Sequence, residues 1–444
     1  MRAWIDDLDD EVRAAGRSPA AIRGHLELLR RGIPSLDVVR PCTVGDGISG
    51  LAERHEAIGR SVVRRAQTFV PASGAATRMF ASWQQAVQRD EPGRAEVVER
   101  AAELPIYEER GSLLASLRAS VEVWGGQPKA LLPVHGRGRT LLEDHLDEAD
   151  AIGIAQVHFT TSVRHRAVME AVVEGRASLS VQDPATDTLA FSPDLRPVRD
   201  ELGGLAFRPT GHGALLDNLD AFAEDLVLVK NIDNVVHPDH RGEILRWRLR
   251  MLGRLAELHG EVLSVLQRGS AVAAQILLRS RFGVVVPASQ ALERLDRPLR
   301  VCGMVRDRGE PGGGPYWVAD ADGTVRAQIL EATQLDPTDA LHREAMARAT
   351  HFNPADMALA VRGPSGRWPL RPYVDDAQSM RVRRTQHGRE VVAIERPGLW
   401  NGGMAGWNTL FVELPGQVFQ PVKTVADLLR PAHRARADGG SLTP

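Results

Sequence analysis

Residues 66–88 decide the fold: the apolar run AQTFVP (66–71) is followed by the small residues of ASGAATRMF (72–80) and then by ASWQQAVQ (81–88). The first run predicts a buried strand that ends at Pro71, and the last segment predicts a helix. A strand that enters a helix through a tight loop presents backbone N–H groups to an anionic ligand. The stretch therefore predicts a phosphate-binding loop, although a purely structural turn would use similar residues.

The rest of the chain repeats this order of strand and helix. Helices are predicted before residue 33, at about 50–66, from 140 to about 151 and at 241–268. Further strands are predicted at 130–134, 154–161, 226–236, 300–305, 316–320 and 325–330, with short pieces near 178–182, 187–191 and 205–208. Such an alternation with short connections predicts an α/β fold with a mostly parallel sheet flanked by helices.

Composition and charge argue against several classes of protein. The chain has 444 residues, with 55 Lys and Arg against 57 Asp and Glu. A nucleic-acid-binding protein would usually carry a basic excess, and no apolar run approaches the roughly 18 residues of a membrane span. The acidic start MRAWIDDLDDEV is unlike a signal peptide, and two cysteines cannot build a thiolate metal centre. We expect a cytoplasmic enzyme with no nucleic-acid or membrane partner.

Lysine is rare in this chain, because only Lys129, Lys230 and Lys423 occur among 55 basic residues. Lysine is a compact point charge, whereas arginine is a wide planar fork. A lysine that persists among arginines indicates a place where the fork does not fit, such as a tight phosphate pocket. Chance is the alternative for any single lysine, but we expect at least two of the three to be functional.

The segment LVLVKNIDNVV (226–236) places polar residues at the end of a very apolar strand. Asn231, Asp233 and Asn234 would then lie at the carboxyl end of a buried strand, where open α/β sheets bind their ligands. One carboxylate can hold Mg²⁺ there while substrate phosphates supply the remaining ligands. A turn that uses Asn and Asp for local hydrogen bonds is the alternative.

Three further segments carry weaker signals. RPTGHG (208–213) could lie flat against a base or sugar, or could be a plain loop. HPDH (237–240) is a weak candidate for zinc. LWNGGMAGWNTLF (399–411) contains two tryptophans within eight positions, and these indoles could stack on a ring or belong to the core.

Taken in order, these segments resemble the UDP-sugar pyrophosphorylase superfamily. The matching segments are ASGAATRM, PKALLPV, HFTTS, RPTGHG, VKNIDN, HFNPAD and FQPVKTVADLL, which run from about 69 to 430. More closely, the chain is similar to a bacterial family described as a domain of unknown function, number 4301. The segments of that likeness are HLELLRRGIPSL, VGDGI, TGHGALLDNLD, KNIDNVV, RVCGMV, GEPGGGPYW, THFNP and FQPVKTVADLLRP.

The superfamily resemblance implies a glycosyltransferase-A-like (Rossmann-like) fold and a nucleotidyltransferase. Such an enzyme joins a nucleoside triphosphate to a sugar 1-phosphate and releases pyrophosphate, with Mg²⁺ as cofactor. The implied site residues are Ala72, Ser73, Gly74, Ala75, Ala76, Thr77 and Arg78 for the triphosphate, Lys129 and Lys423 for charge stabilisation, Asp233 for Mg²⁺, Gln182, Gly211, His212 and Gly213 for the base, and Asn231 and Asn353 for the sugar.

The resemblance also implies a division of the chain. We predict an N-terminal helical region at 1–66, a nucleotide-binding α/β catalytic domain at 67–362, and a small C-terminal α+β segment at 363–432 that returns Lys423 to the site. The tail at 433–444 is predicted to be disordered. The sequence does not indicate the oligomeric state.

The opening loop departs from the superfamily pattern, because Ser73 and Ala76 stand where glycines are expected. Two other functions therefore stay open. One is a glycosyltransferase that uses a nucleotide sugar and an acceptor. The other is a non-catalytic protein that binds a nucleotide sugar, which the altered loop favours.

Overall fold

A central sheet organises the molecule. The computed structural model describes residues 3–90, 96–136, 138–221, 224–309, 312–386 and 389–436. Its helices are α1 (Ala3–Ala14), α2 (Pro19–Arg31), α3 (Arg54–Val62), α4 (Ala81–Gln88), α5 (Glu96–Glu99), α6 (Leu113–Trp124), α7 (Leu141–Ile152), α8 (Arg166–Val173), α9 (Leu215–Asp220), α10 (Arg241–Arg268), α11 (Ala271–Phe282), α12 (Ala288–Leu295) and α13 (Ala340–Arg348).

The strands fall into one large sheet and several small ones. They are β1 (Asp37–Pro41), β2 (Thr43–Val44), β3 (Gly47–Ser49), β4 (Ala66–Pro71), β5 (Gln156–Thr161), β6 (Ser178–Val181), β7 (Thr188–Leu189), β8 (Phe207–Arg208), β9 (Leu226–Val229), β10 (Leu299–Arg306), β11 (Gly314–Ala319), β12 (Val325–Leu330), β13 (His351–Phe352), β14 (Met357–Ala360), β15 (Arg362–Gly363), β16 (Gly366–Arg367), β17 (Met380–Gln386), β18 (Arg389–Glu395) and β19 (Asn408–Glu413).

The large sheet has the strand order β2-β3-β19-β10-β14-β9-β4-β5-β6. Neighbouring strands along this path are parallel, except that β14 runs antiparallel to both β10 and β9. The short β13 also pairs antiparallel with β10. Every residue of β9 is buried, as expected for a strand covered on both faces. The predicted α/β fold with a mostly parallel sheet is confirmed.

The long helix α10 packs across α3 with the two backbones in contact. A Cβ on Gly253 would lie 1.8 Å from His55 O, and a Cβ on Gly59 would lie 2.0 Å from Leu249 O. Only glycine permits so close a crossing. The contact fixes the N-terminal part of the chain against the helix that leads away from the predicted Asn-x-Asp-Asn segment.

The N-terminal region is partly helical and partly extended. The predicted helices are present as α1, α2 and α3, but residues 37–49 form the strands β1, β2 and β3, which the sequence analysis missed. In the large sheet, β3 pairs in parallel with β19, and β1 pairs with β11 in a smaller sheet. Thus strands from both sides of the predicted 67–362 range complete the central sheet, and the domain boundaries stay predictions.

The strand predicted at 130–134 is wrong. Residues Lys129–Leu131 form a 3-10 turn, and Pro133 makes only an isolated bridge to Thr140. Leu141 N–H donates to Leu132 O at 3.0 Å, which folds the segment back on itself. Proline has no N–H group with which to continue a ladder.

The C-terminal tail lies mostly outside the described residues, which end at 436. Before that point, Pro431–His433 form a 3-10 turn and His433 is 4% exposed. Among the described helices, none has the length and apolar character needed to cross a bilayer.

Candidate active site

The loop after β4 is fixed at both ends by backbone hydrogen bonds. Ala72 N–H donates to Thr160 O of β5 at 3.2 Å, and Ala76 N–H donates to Gln127 O at 3.0 Å. Both alanines are almost fully buried, which explains why larger residues would not serve there. The loop ends are therefore held by neighbouring segments while its middle faces outward.

The middle of the loop leaves three consecutive amides free. The N–H groups of Ser73, Gly74 and Ala75 make no hydrogen bond to any group in the part of the chain that the structure describes. Gly74 and Ala75 are also exposed to solvent. Ala75 is extended (φ −78°, ψ 157°) and Gly74 has no positive φ, so the loop is not a concave αR–αL nest. Free N–H groups of an exposed loop can nevertheless donate hydrogen bonds to an anion. The predicted phosphate-binding loop therefore has the groups that such a role requires.

A 3-10 turn, Ala76–Phe80, separates this loop from α4, so the loop does not run directly into the helix. Thr77 and Arg78 lie on the turn and are exposed. The Thr77 hydroxyl donates to Gly125 O at 3.1 Å. Arg78 forms no ion pair with any residue that the structure describes, so its charge is available at the loop.

Lys129 and Asp233 meet beside the loop. Lys129 Nζ lies 3.0 Å from Asp233 Oδ2, and the two side chains are only 15% and 17% exposed. The backbone of Lys129 also bonds to the loop, because its N–H donates to Gly74 O at 3.0 Å. Residues that are 104 positions apart in sequence thus form one charged pair at the carboxyl end of β4 and β9.

The Asp233 carboxylate has the donor atoms that a magnesium site of this kind requires. Its Oδ2 holds Lys129, while its Oδ1 is buried and has no hydrogen-bond partner among the described residues. A carboxylate oxygen is a preferred Mg²⁺ ligand, and substrate phosphates can supply most of the others. Among the described residues, no cluster of three or more His, Cys, Asp or Glu side chains is arranged to hold a metal ion, and the segment HPDH adds none.

Lys423 reaches the site on a C-terminal segment, residues 418–427, that is bound to the end of β9. Val422 N–H donates to Asp233 O at 2.9 Å. The Asn234 side chain donates to Val418 O at 3.1 Å and accepts from Gln420 N–H at 3.0 Å. This backbone pairing sets the position of Lys423 relative to Asp233.

Lys423 lines a cavity of about 250 Å³ together with Asn231 and Asn353. The Asn231 amide donates to Pro354 O at 3.3 Å. The Asn353 side chain donates to Gly303 O at 2.8 Å and accepts from Ala355 N–H at 3.0 Å. Asn353 is therefore already engaged with the backbone, so a part in sugar binding would rest on its remaining hydrogen-bonding capacity.

The four residues predicted to read the base lie near one another, and none of them lines this cavity. Gln182 Nε2 donates to Gly211 O at 3.5 Å. The imidazole of His212 stacks on Trp400 with ring centroids 4.3 Å apart, and burial lowers its pKa to about 4. Gly213 fits tightly, since a Cβ there would lie 2.8 Å from Arg396. At neutral pH, His212 is an uncharged ring.

Sequence reasoning left Trp400 open between stacking on a ring and a place in the core, and it gave no role to Glu331, Phe352 or Phe419 in the wall of the cavity. Glu331, Phe352, Trp400 and Phe419 all line it. Phe352 and Phe419 pack edge to face at 5.2 Å, and Lys423 Nζ lies 5.4 Å from the Phe419 ring centroid. The paired tryptophans of 399–411 were a usable signal, but Glu331 stands in no recognisable motif.

The third rare lysine, Lys230, has a structural setting. Its side chain is 5% exposed and contacts Glu148, which also bonds Arg248 at 2.6 Å. Burial, together with the nearby Arg248 guanidinium, lowers the pKa of Lys230 to about 8. Burial also raises the pKa of the nearby Asp356 carboxyl. Its Oδ2 accepts a hydrogen bond from the Asn234 side chain. This buried cluster joins the end of β9 to α7 and α10.

A fold of this kind is found in solved structures of UDP-glucose pyrophosphorylases. The G45Y mutant of the Leishmania major enzyme, in complex with UDP-glucose, matches with a TM-score of 0.52 at 15% identity, over 98% of this chain and 79% of that chain. A UDP-glucose phosphorylase from Trypanosoma brucei matches with a TM-score of 0.52 at 15% identity, over 95% and 76% of the two chains. At this identity the likeness establishes the fold alone.

The chain belongs to the family described as "Domain of unknown function (DUF4301)", whose model matches residues 6–107 and 112–434. Both resemblances seen in the sequence are thereby confirmed at the level of family and fold. No curated protein is similar in sequence at a significant level.

Proposed function

We propose that the protein is a nucleotidyltransferase that joins a nucleoside triphosphate and a sugar 1-phosphate and releases pyrophosphate. The observation that carries this proposal is the meeting of three elements at one edge of the sheet. These are the free amides of the loop 73–75, the Lys129–Asp233 pair, and the segment that bears Lys423. An anion-binding loop, two lysines and one carboxylate are the groups that in-line phosphoryl chemistry needs.

In this proposal the chain supplies position and charge. The loop amides and Arg78 bind the triphosphate, and Lys129 compensates charge on the α- or leaving phosphates. Lys423 holds the sugar phosphate against the α-phosphorus. An oxygen of the sugar phosphate forms the new bond to that phosphorus while the bond to the pyrophosphate oxygen breaks. No protein nucleophile takes part.

Asp233 would hold Mg²⁺ in the loaded enzyme, where the ion would neutralise and orient phosphate oxygens. The Lys129 ammonium now occupies one side of this carboxylate. When the triphosphate binds, Lys129 would exchange Asp233 for the phosphates, and the Asp233 carboxylate would be left to hold the ion. The ammonium thus compensates the carboxylate in the free protein and the phosphates in the complex.

The test is phosphate release in the presence of inorganic pyrophosphatase and Mg²⁺. Each of the four common nucleoside triphosphates is offered with a pool of sugar 1-phosphates. Phosphate release that needs both substrates supports the proposal, and the triphosphate that gives it identifies the base. Release from the triphosphate alone indicates a hydrolase, and binding without release across the whole panel indicates a glycosyltransferase or a nucleotide-sugar-binding protein.

A further inference from the structure

Trp400 is held in one orientation by three different contacts. Its Nε1 donates to Glu331 Oε1 at 3.2 Å. Its ring stacks on the His212 imidazole, with an interplanar angle of 26°. Its carbonyl oxygen accepts from Arg300 Nη1 at 2.6 Å, and the Arg300 side chain is fully buried. An indole fixed in this way loses little freedom when a ligand binds against it.

The turn that carries Trp400 is fitted closely around His212. A Cβ on Gly398 would lie 2.0 Å from His212 Cε1, so no other residue could stand there without moving the imidazole. Leu399 N–H donates to His212 O at 3.2 Å. The imidazole therefore backs the indole from the side of the predicted base-binding residues.

The same indole lines the cavity that also contains Lys423 and Asn231. This cavity combines aromatic rings, the Lys423 ammonium, the Glu331 carboxyl group and two amide side chains within about 250 Å³. A cyclic sugar phosphate presents complementary groups, namely an anion, hydroxyls and a C–H face that packs on aromatic rings. An acyclic phosphate of equal charge could bind Lys423 but has no rigid face for the indole.

The geometry points to Trp400 as the specificity residue that selects a cyclic sugar phosphate over an acyclic one. This inference rests on the proposed function, since it deepens the assignment of the Lys423 cavity to the sugar phosphate. The contact between the Trp400 indole and the sugar ring would select the cyclic ligand, and Lys423 would attract the phosphate of either ligand.

The experiment compares ligands of the same charge by calorimetry. The probes are glucose 1-phosphate, galactose 1-phosphate, N-acetylglucosamine 1-phosphate and, as the acyclic control, glycerol 3-phosphate. Each is titrated with and without α,β-methylene analogues of the four triphosphates, which block transfer. The variants are Trp400→Ala, Trp400→Phe and the matched control Trp407→Phe, which changes a buried indole seven positions along the chain that does not line this cavity.

We expect Trp400→Ala to weaken binding of at least one cyclic phosphate about three- to tenfold, the range of an aromatic contact. Glycerol 3-phosphate should bind equally to wild type and variant, Trp400→Phe should retain part of the preference, and Trp407→Phe all of it. If Trp400→Ala does not fold, the ratio of cyclic to acyclic affinity in Trp400→Phe decides.

Three results would overturn the inference: an equal loss for cyclic and acyclic ligands, a wild type without preference for the cyclic ones, or no binding of any cyclic phosphate. Failure of the proposed function looks different. If cyclic phosphates bind in a Trp400-dependent way but no pair of substrates releases pyrophosphate, the reaction is wrong and the role of Trp400 stands.

Discussion

Lys423 is the residue on which the proposed chemistry depends most. Its backbone is fixed, because its N–H donates to Asp427 Oδ2 at 2.8 Å, while its ammonium lies at the cavity wall. We predict that Lys423→Ala lowers kcat by about two orders of magnitude, as expected for loss of one strong transition-state contact. The melting temperature should hardly change. A variant with wild-type kcat in the pyrophosphate assay would remove Lys423 from the mechanism.

Gly74 offers a test of the anion loop. A Cβ at this position would meet no atom within 4 Å, so Gly74→Val should fold normally. A bound triphosphate would be crowded, and we predict that KM for the nucleotide rises about tenfold, or ~1.4 kcal/mol in binding. Steady-state kinetics with Ser73→Ala as the control would show this. An unchanged KM would mean that phosphates do not approach this loop.

Two of the three rare lysines lie near one edge of the sheet, and their expected function stays a prediction. Lys129 and Lys423 both lie at the carboxyl edge of the sheet, whereas Lys230 points into the buried cluster with Glu148 and Arg248. The position of a lysine relative to a strand end does not distinguish a lysine of the site from a buried structural lysine. Lys230 directly follows β9, and only the packing of α7 and α10 below it shows which way its side chain goes.

The segment 418–427 and the strand β9 form a unit that is joined by Asn234. We predict that Asn234→Ala destabilises the protein by about 1–3 kcal/mol, because it leaves Gln420 N–H and Asp356 without a partner. It should also lower kcat, since Lys423 loses its fixed distance from Asp233. Asn231→Ala, which removes one bond to Pro354 O, is the matched control for chemical denaturation. Equal stability of the two variants would contradict this role of Asn234.

Elements were predicted well where local pattern alone determines them. The runs AQTFVP and VRAQIL coincide with β4 and β12, because the first is mostly apolar and the second alternates apolar with polar residues, both of which are strand patterns. The strands β2 and β3 were missed because they have two and three residues. In the large sheet β3 pairs with β19 through Ile48 and Phe411, a contact between distant parts of the chain that no short window contains.

Several buried histidines make the whole molecule sensitive to acid. Burial lowers the pKa of His145 to about 3, of His158 to about 4 and of His433 to about 3. In the unfolded chain these rings take up protons below about pH 6.5, whereas in the folded protein they stay neutral. The contribution of these histidines to the free energy of unfolding is therefore fully present above about pH 6.5 and is lost as the pH drops towards 4.

We predict a decreasing melting temperature between pH 7.5 and 5, with each such histidine costing up to about 2 kcal/mol at pH 5. Carboxylates of ordinary pKa remain largely ionised over this range, and the buried carboxyls with raised pKa values, such as Asp356 and Glu331, would stabilise the fold on acidification. A melting temperature that falls therefore belongs to the histidines. Calorimetric scans at constant ionic strength would measure it, and His158→Gln should flatten the profile. A melting temperature that stays constant or rises on acidification would contradict the prediction.

Those residues of the candidate site that directly follow a strand within a recognisable motif could be predicted from the sequence. Asp233 and the 72–76 loop come together because they follow the parallel strands β9 and β4, whose carboxyl ends share one edge. Lys129 follows no strand, since it lies on a 3-10 turn that is joined to the loop by its N–H bond to Gly74 O. The contact of Trp400 with Glu331 and His212 joins three separate parts of the chain. It depends on the packing of loops against one another, which no pattern within a single segment records.

The most direct test of the central claim compares the two ends of β9. Asp233 follows the strand at the proposed site, whereas Asp225 precedes it at the opposite edge and pairs with Arg65 at 2.7 Å. Pyrophosphate release is measured for wild type, Asp233→Asn and Asp225→Asn with the triphosphate and sugar 1-phosphate that give the highest rate. We predict release that requires both substrates and Mg²⁺, is abolished in Asp233→Asn and persists in Asp225→Asn. Full activity in Asp233→Asn, or equal loss in both variants, would contradict it.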